Sequence, residues 1–293
     1  MNRFRFVDTR EPLLGTLVEI RLTVDRDDEA AAGAIVDDAF AEMVRLQSVL
    51  SAVDRSSELS RWSEGHLATT SAELTEVLNS AHSWQRASDG RFSPLTGLLT
   101  ARWRRAEADG VEPSAEELAE LVGVIASTEW RQHGHPDLQL NAYAKGWIVD
   151  RIAAHVMDRV DDGVVSVVVN AGGDLVHRGE GELEVGVEDP FLIDEGEPPL
   201  GMVVLSDAGL ATSGRRRRGF QVGERWYSHV IDPRTGWPVD HQESITVVAD
   251  HARTADVLCT VFGVEPIDDA LADAERCGVR CVIIAPDGAV RTV

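Results

Sequence analysis

Lys145 is the single lysine of this chain; the other 27 of its 28 basic residues are arginine. It stands before Gly146 in LNAYAKGWIVDRIAAHV. A compact, rotatable ammonium suits a diphosphate or its developing charge, and the pattern predicts a helix whose N-terminus adds its own pull on anions. An ordinary surface lysine at a helix start is the alternative. In RTADVLCTVFG, Thr254 reads as an N-cap, and Asp256 and Thr260 fall four residues apart on one helical face. Such a carboxylate and hydroxyl offer two oxygens to a hard cation such as Mg²⁺, although a first-turn acid is also explained by the helix dipole.

Three further motifs belong with these. VVVNAGGDLVHRG runs a buried-type strand into Gly172, Gly173 and Asp174, either an anion-binding nest of backbone N–H groups or a hairpin turn that needs glycine for its shape. Thr212, Ser213 and Gly214 form a segment able to hold phosphate or ribose. Arg215 to Arg218 follow as the one dense basic run, which attracts a dinucleotide or an acidic protein loop unless it is simply a solvated hairpin face. His229 stands just before Asp232-Pro233-Arg234-Thr235-Gly236, a strong turn signal, where a histidine can act as a general base or serve structure alone.

The elements that must position these residues are visible in the periodicity. TLVEIRLTV at 16–24 alternates as a half-buried strand, and 28–49 carries apolar residues at helical spacing. Helices are expected at 71–88 and 114–126, the latter with Glu116 and Glu117 in its first turn. From about 164 the chain becomes strand-rich, before helices at 254–262 and 266–277 and a last strand in VRCVIIA. A helical first half and a β-rich second half favour an α+β fold over a doubly wound sheet. The acidic, proline-bearing stretch at 193–200 reads as a loop decorating one domain.

A length of 293 residues with 43% apolar content is ample for a large core. The net charge of −22 repels nucleic acid and anionic lipid. No apolar run approaches the roughly 20 residues of a membrane span, and the charged start MNRFRFVDTRE lacks the pattern of a secretion signal, so a cytoplasmic location is expected. Cys259, Cys277 and Cys281 have neither disulfide nor zinc spacing and read as reduced core residues.

In their order, LLGT, SSELSRW, SDGRFSPLTGLL, LNAYAKG, VNAGGD, ATSG, SHVIDPRTGWPV, ITVVA and ADVLCT resemble the FAD:protein FMN transferase (ApbE) family over almost the whole chain. The resemblance implies one T-fold-like domain of mixed helices and antiparallel sheets spanning 1–293. It implies an enzyme that binds FAD with Mg²⁺, attaches FMN through a phosphoester to a Ser or Thr of a flavoprotein, and releases AMP. Rival readings are an FAD pyrophosphatase giving FMN and AMP, and a non-catalytic nucleotide-binding homologue. By the same resemblance, Asp256, Thr260 and the Ala142 carbonyl are metal ligands, Lys145 contacts the flavin and assists catalysis, and His229 takes the proton of the acceptor hydroxyl. Dinucleotide contacts are implied at Leu14, Val53, Arg91, Phe92, Ser93, Gln139, Gly172, Gly173, Asp174, Thr212, Ser213, Gly214 and Val230.

The chain departs from the family pattern mainly on the nucleotide side. Leu14 replaces a methionine, Val53 a tyrosine, and Ser93 and Gln139 replace acids; Asn141 replaces a small residue, and Cys259 stands where a second acid is common near the metal. Losing an aromatic surface and two carboxylate acceptors should reshape dinucleotide recognition, since each hydrogen bond typically contributes about 0.5–1.5 kcal/mol. Gln139 retains an acceptor oxygen and adds a donor.

Overall fold

The computed structural model describes residues 3–192, 198–215 and 218–293, without the side chains of residues 132 and 133. Most of the acidic loop expected at 193–200, and residues 216 and 217 of the arginine run, therefore lie outside the described residues. In chain order the elements are β1 (Phe4–Leu13), β2 (Thr16–Val24), α1 (Glu29–Leu50), α2 (Glu58–Ser63), α3 (Ala72–Ala87), α4 (Thr96–Asp109), α5 (Ala115–Ser127), α6 (Trp130–His133) and α7 (Asn141–Met157). There follow β3 (Val164–Ala171), β4 (Asp174–Gly179), β5 (Leu183–Val187), β6 (Gly201–Leu205), β7 (Gly209–Gly214), β8 (Gly219–Val222), β9 (Arg225–Ser228) and β10 (Ser244–Ala249). The chain closes with α8 (Ala252–Gly263), α9 (Ile267–Cys277), β11 (Arg280–Ile284) and β12 (Val290–Thr292). The fold is α+β, as expected, with its named pairings antiparallel.

These elements form two compact units built from interleaved segments, the first from residues 1–48, 143–212 and 246–256, the second from 49–142, 213–245 and 257–293. In the first unit the strands run in the order β1-β2-β3-β4-β7-β10. Strand β2 shows why the alternation is readable: Val18, Ile20, Leu22 and Val24 face the core while the intervening residues do not. Strand β3 is buried along nearly its whole length, which explains its continuous apolar run. Helix α7 is also buried on most sides, with Trp147, Val149, Ile152, Ala153 and Val156 in the core. Edge strand β1 escapes the periodicity because its inner positions, including Phe4 and Phe6, are only half-buried and alternate with charges.

The second unit packs α4 against the β8–β9 hairpin through an aromatic cluster. Trp103 is fully buried, with its ring centroid 4.6 Å from Tyr227, 5.5 Å from Trp237 and 6.3 Å from Phe220. Its indole N–H donates to the Gly236 carbonyl at 2.9 Å, tying α4 to the DPRTG turn. Glu116 and Glu117 lie in the first turn of α5 as expected, and Glu117 does more than face the dipole: with Ser114 it forms a capping box that closes the helix start.

Two local expectations are corrected. Helix α7 begins at Asn141, so Lys145 and Gly146 lie inside it and not at its mouth. Helix α8 begins at Ala252, so Thr254 is within its first turn; the cap comes instead from Asp150 of α7, whose carboxylate accepts from Ala252 N–H at 2.9 Å and Arg253 N–H at 3.0 Å. Gly146 makes this approach possible, since a Cβ there would come within 2.7 Å of the Ala252 carbonyl oxygen and 2.8 Å of Arg253 Cα. Gly146→Ala is therefore expected to cost about 1–3 kcal/mol by overpacking, reversing the gain of roughly 1 kcal/mol that alanine brings to an open helix. Urea denaturation would measure it, and increased stability would contradict this account of the contact.

Candidate functional site

Helix α7, the β3–β4 hairpin and the first turns of α8 bring three sequence-expected residues together in the first unit. Lys145 Nζ lies 3.2 Å from Asp174 Oδ2, and the Asp174 side chain is 3% exposed. Asp256 is buried as well, and one of its oxygens accepts the Gly146 N–H at 3.1 Å. Burial raises the Asp256 carboxyl well above its ordinary range, and the neighbouring Asp174 carboxylate raises it further, against the opposing pull of Lys145 and the Gly146 N–H. Two acids thus share one ammonium in a poorly solvated place. Family resemblance makes Asp174 a dinucleotide contact; its proximity to Asp256 leaves no signal in the spacing.

Gly172 and Gly173 form the two-residue loop of the β3–β4 hairpin, with φ of 59° and 102° and Ala171 paired to Asp174. The shape alone demands glycine, because both φ values are positive and a Cβ on Gly172 would collide with the Thr16 side chain. Thr212 donates its N–H to the Gly173 carbonyl at 3.1 Å, and its hydroxyl lies 2.9 Å from that of Thr246. Leu14 occupies the β1–β2 turn with φ of 52°, its N–H donating to Gln47 Oε1 at 2.6 Å. The loops carrying Leu14 and Gly172 thus meet through Thr16.

In the second unit, His229 follows β9 directly. Its Nδ1 lies 3.1 Å from the Arg218 carbonyl, which can only accept, so in neutral imidazole Nδ1 carries the hydrogen and Nε2 is the basic nitrogen. The backbone N–H of His229 donates to the same oxygen at 3.3 Å, and Ser228 Oγ accepts the Val230 N–H at 3.0 Å. Arg218 is exposed, whereas Ser213, Gly214 and Val230 are half-buried.

Two cavities of about 360 and 270 Å³ share Ala52, Pro136 and Leu138 as walls. Gln139 lines the larger with Thr100 and Arg104, and Val53 lines the smaller with Arg55 and Ser60. Two of the altered nucleotide positions are thereby gathered into one region. Arg91, Phe92 and Ser93 have evident structural work. Arg91 pairs with Glu265 and with Asp273, Phe92 is 2% exposed, and the Ser93 hydroxyl accepts the Leu95 N–H where α4 starts.

Asp256 and Thr260 lie one turn apart on α8 as expected, and Ala142 stands in the first turn of α7. Cys259 is buried with its thiol directed to the Ile245 carbonyl at 3.7 Å, the setting of a core residue. Among the described residues no group of three or more His, Cys, Asp or Glu is arranged to hold a metal ion. The oxygen donors at hand in the first unit are the carboxylates of Asp174 and Asp256. Their class and the excess negative charge at Asp174 and Asp256 fit a hard divalent cation. No helix among the described residues is long and apolar enough to cross a membrane.

Residues 14–283 match the ApbE family. An FAD:protein FMN transferase from Treponema pallidum is 27% identical over 99% of this chain and 87% of its own length, and one from Haemophilus influenzae is 27% identical over 92% and 84%. The crystal structure of the ApbE protein from Thermotoga maritima superposes with a TM-score of 0.80 at 24% identity, covering 99% of this chain and 96% of that one. The apo flavinyl transferase ApbE from Pseudomonas stutzeri gives 0.76 at 22% identity, covering 100% and 95%.

The Asp256 environment predicts a pH signature. A carboxyl raised in the folded state costs stability as pH climbs from its unfolded value, near 3.9, towards the folded one. Asp256→Asn keeps an acceptor for Gly146 and removes that cost, so in EDTA-treated protein it is expected to raise the melting temperature more at pH 8 than at pH 5. Equal changes at both pH values would contradict the assignment.

Proposed function

The chain belongs to the ApbE family, and on that premise we propose that it is an Mg²⁺-dependent transferase of FMN from FAD to a Ser or Thr of a flavoprotein, releasing AMP. The observation that carries this reading is the Asp174 and Asp256 pair beside Lys145, a buried concentration of negative charge that a divalent cation and a diphosphate would complete. Asp256, Thr260 and the Ala142 carbonyl would hold the metal, and the position of Asp174 adds it to that set. When bound, the cation neutralises charge on the pyrophosphate. Lys145 contributes its ammonium to the same phosphate charge.

The chemical step joins the acceptor hydroxyl oxygen to the FMN phosphorus while the bridging bond to the AMP phosphate breaks. Nε2 of His229 takes the hydroxyl proton, its role set by the Nδ1–H held on the Arg218 carbonyl. Leu14, the Gly172–Gly173 loop, Thr212, Ser213, Gly214 and Val230 would contact the dinucleotide, and Val53 and Gln139 would do so through the two cavities they line. Arg91, Phe92 and Ser93 would support that surface from the interior. The reading places the reaction in the cytoplasm.

Purified protein incubated with FAD, Mg²⁺ and a Ser/Thr-bearing flavoprotein should yield covalently bound FMN and stoichiometric AMP. His229→Ala should slow transfer by about 10²–10⁴-fold with FAD affinity retained, and Asp256→Ala should abolish Mg²⁺-dependent turnover. Free FMN in place of the adduct would identify water as the acceptor; undiminished transfer in both variants would refute the site.

A further inference from the structure

We propose that Asp150 is a positioning residue that sets Asp256 for the cation, an inference that rests on reading Asp256 as a metal ligand. Asp150 is 7% exposed and, although it lies one turn beyond Gly146 in the Lys145 segment, it has no part in the proposed chemistry. Its two carboxylate oxygens divide their work between consecutive N–H groups at the start of α8, Oδ1 on Ala252 at 2.9 Å and Oδ2 on Arg253 at 3.0 Å. Those are groups that a helix leaves unsatisfied and that a neighbouring side chain ordinarily caps. Here the cap comes from another helix.

The geometry makes this more than a cap. Gly146 and Asp150 are four residues apart on α7 and so lie on one face. From that face Asp150 accepts from the first turn of α8, and Gly146 donates to the Asp256 carboxylate one turn farther on, at 3.1 Å. These three bonds, two donated by α8 and one by α7, run in opposite directions between the same helices and fix both the position of α8 and its rotation about its axis. The Asp150 charge is itself oriented. Arg178 Nη2 lies 3.6 Å from Oδ1 and donates to the Asp250 carbonyl at 2.6 Å, and Arg253 Nη1 lies 3.9 Å from Oδ2. An amide in its place keeps one acceptor and turns an NH₂ towards the other N–H.

The test uses the full chain free of flavin, Mn²⁺ titration followed by electron paramagnetic resonance, and thermal melts. Asp150→Ala is expected to weaken Mn²⁺ binding about 10–100-fold, the usual effect of losing a group that orients a ligand, and Asp150→Asn to weaken it less. Transfer assays should show a raised Mg²⁺ requirement with kcat at saturating Mg²⁺ largely kept. Ser114→Ala, which removes the N-cap of α5, serves as the control: a loss of melting temperature with parental Mn²⁺ affinity. If both Asp150 variants melt lower yet bind Mn²⁺ as the parent does, Asp150 is a structural cap only and the proposal is overturned. Absence of Mn²⁺ binding by the parent would instead overturn the reading of Asp256 and this inference with it. Should Asp150→Ala fail to fold, Mn²⁺ affinity of the Asn variant alone decides between the two roles: weakened binding supports positioning, and parental binding overturns it.

Discussion

The backbone contact between α7 and the start of α8 is the constraint on which the arrangement of Lys145, Asp174 and Asp256 in the first unit depends. Gly146 has no side chain because the Ala252 carbonyl and Arg253 Cα occupy the space a Cβ would need. That closeness allows a main-chain N–H to reach the Asp256 carboxylate, and it brings the Asp150 carboxylate within reach of the opening N–H groups of α8. Gly209 reinforces the same place, since a Cβ there would collide with the Ala252 nitrogen. Two glycines from distant segments thus converge on one helix start.

On this frame the chain assembles charges that would repel one another if left uncompensated. Asp174 arrives from the β3–β4 hairpin and Asp256 from α8, with the Lys145 ammonium held against the first. Burying such a set is costly, and the metal-free protein meets the cost by favouring protonation of Asp256. The arrangement is better suited to holding a ligand than to stabilising the fold. At His229 the device differs: a carbonyl oxygen fixes a tautomer, which is a matter of direction and not of charge.

Local patterns are legible where burial follows the period of the backbone, as in the alternation of β2 or the helical spacing of α1. They fail where the partner is remote. Thr254 has the residue type of an N-cap, but the donors of α8 are met by Asp150, 102 positions earlier in the chain, and no local signal encodes that. Likewise the ion pairs of Arg91 with Glu265 and Asp273, far along the chain, have no local signal beside the dinucleotide contact that the resemblance implies there. Family resemblance and residue type point to the residues expected to do chemistry; what brings Asp174 and Asp256 together is visible only in three dimensions. Strand β1 shows the converse limit, since an edge strand with half-buried aromatics hides its alternation among charges.

Replacing almost every lysine with arginine has a practical corollary. The chain carries one side-chain amine, and that amine, 24% exposed, is the one beside Asp174. Acylating or aldehyde reagents, which on most proteins scatter over dozens of surface positions, have here a single side-chain target. The molecule is therefore already built for single-site labelling: a reporter attached through that amine would sit inside the proposed reaction centre without any engineered cysteine.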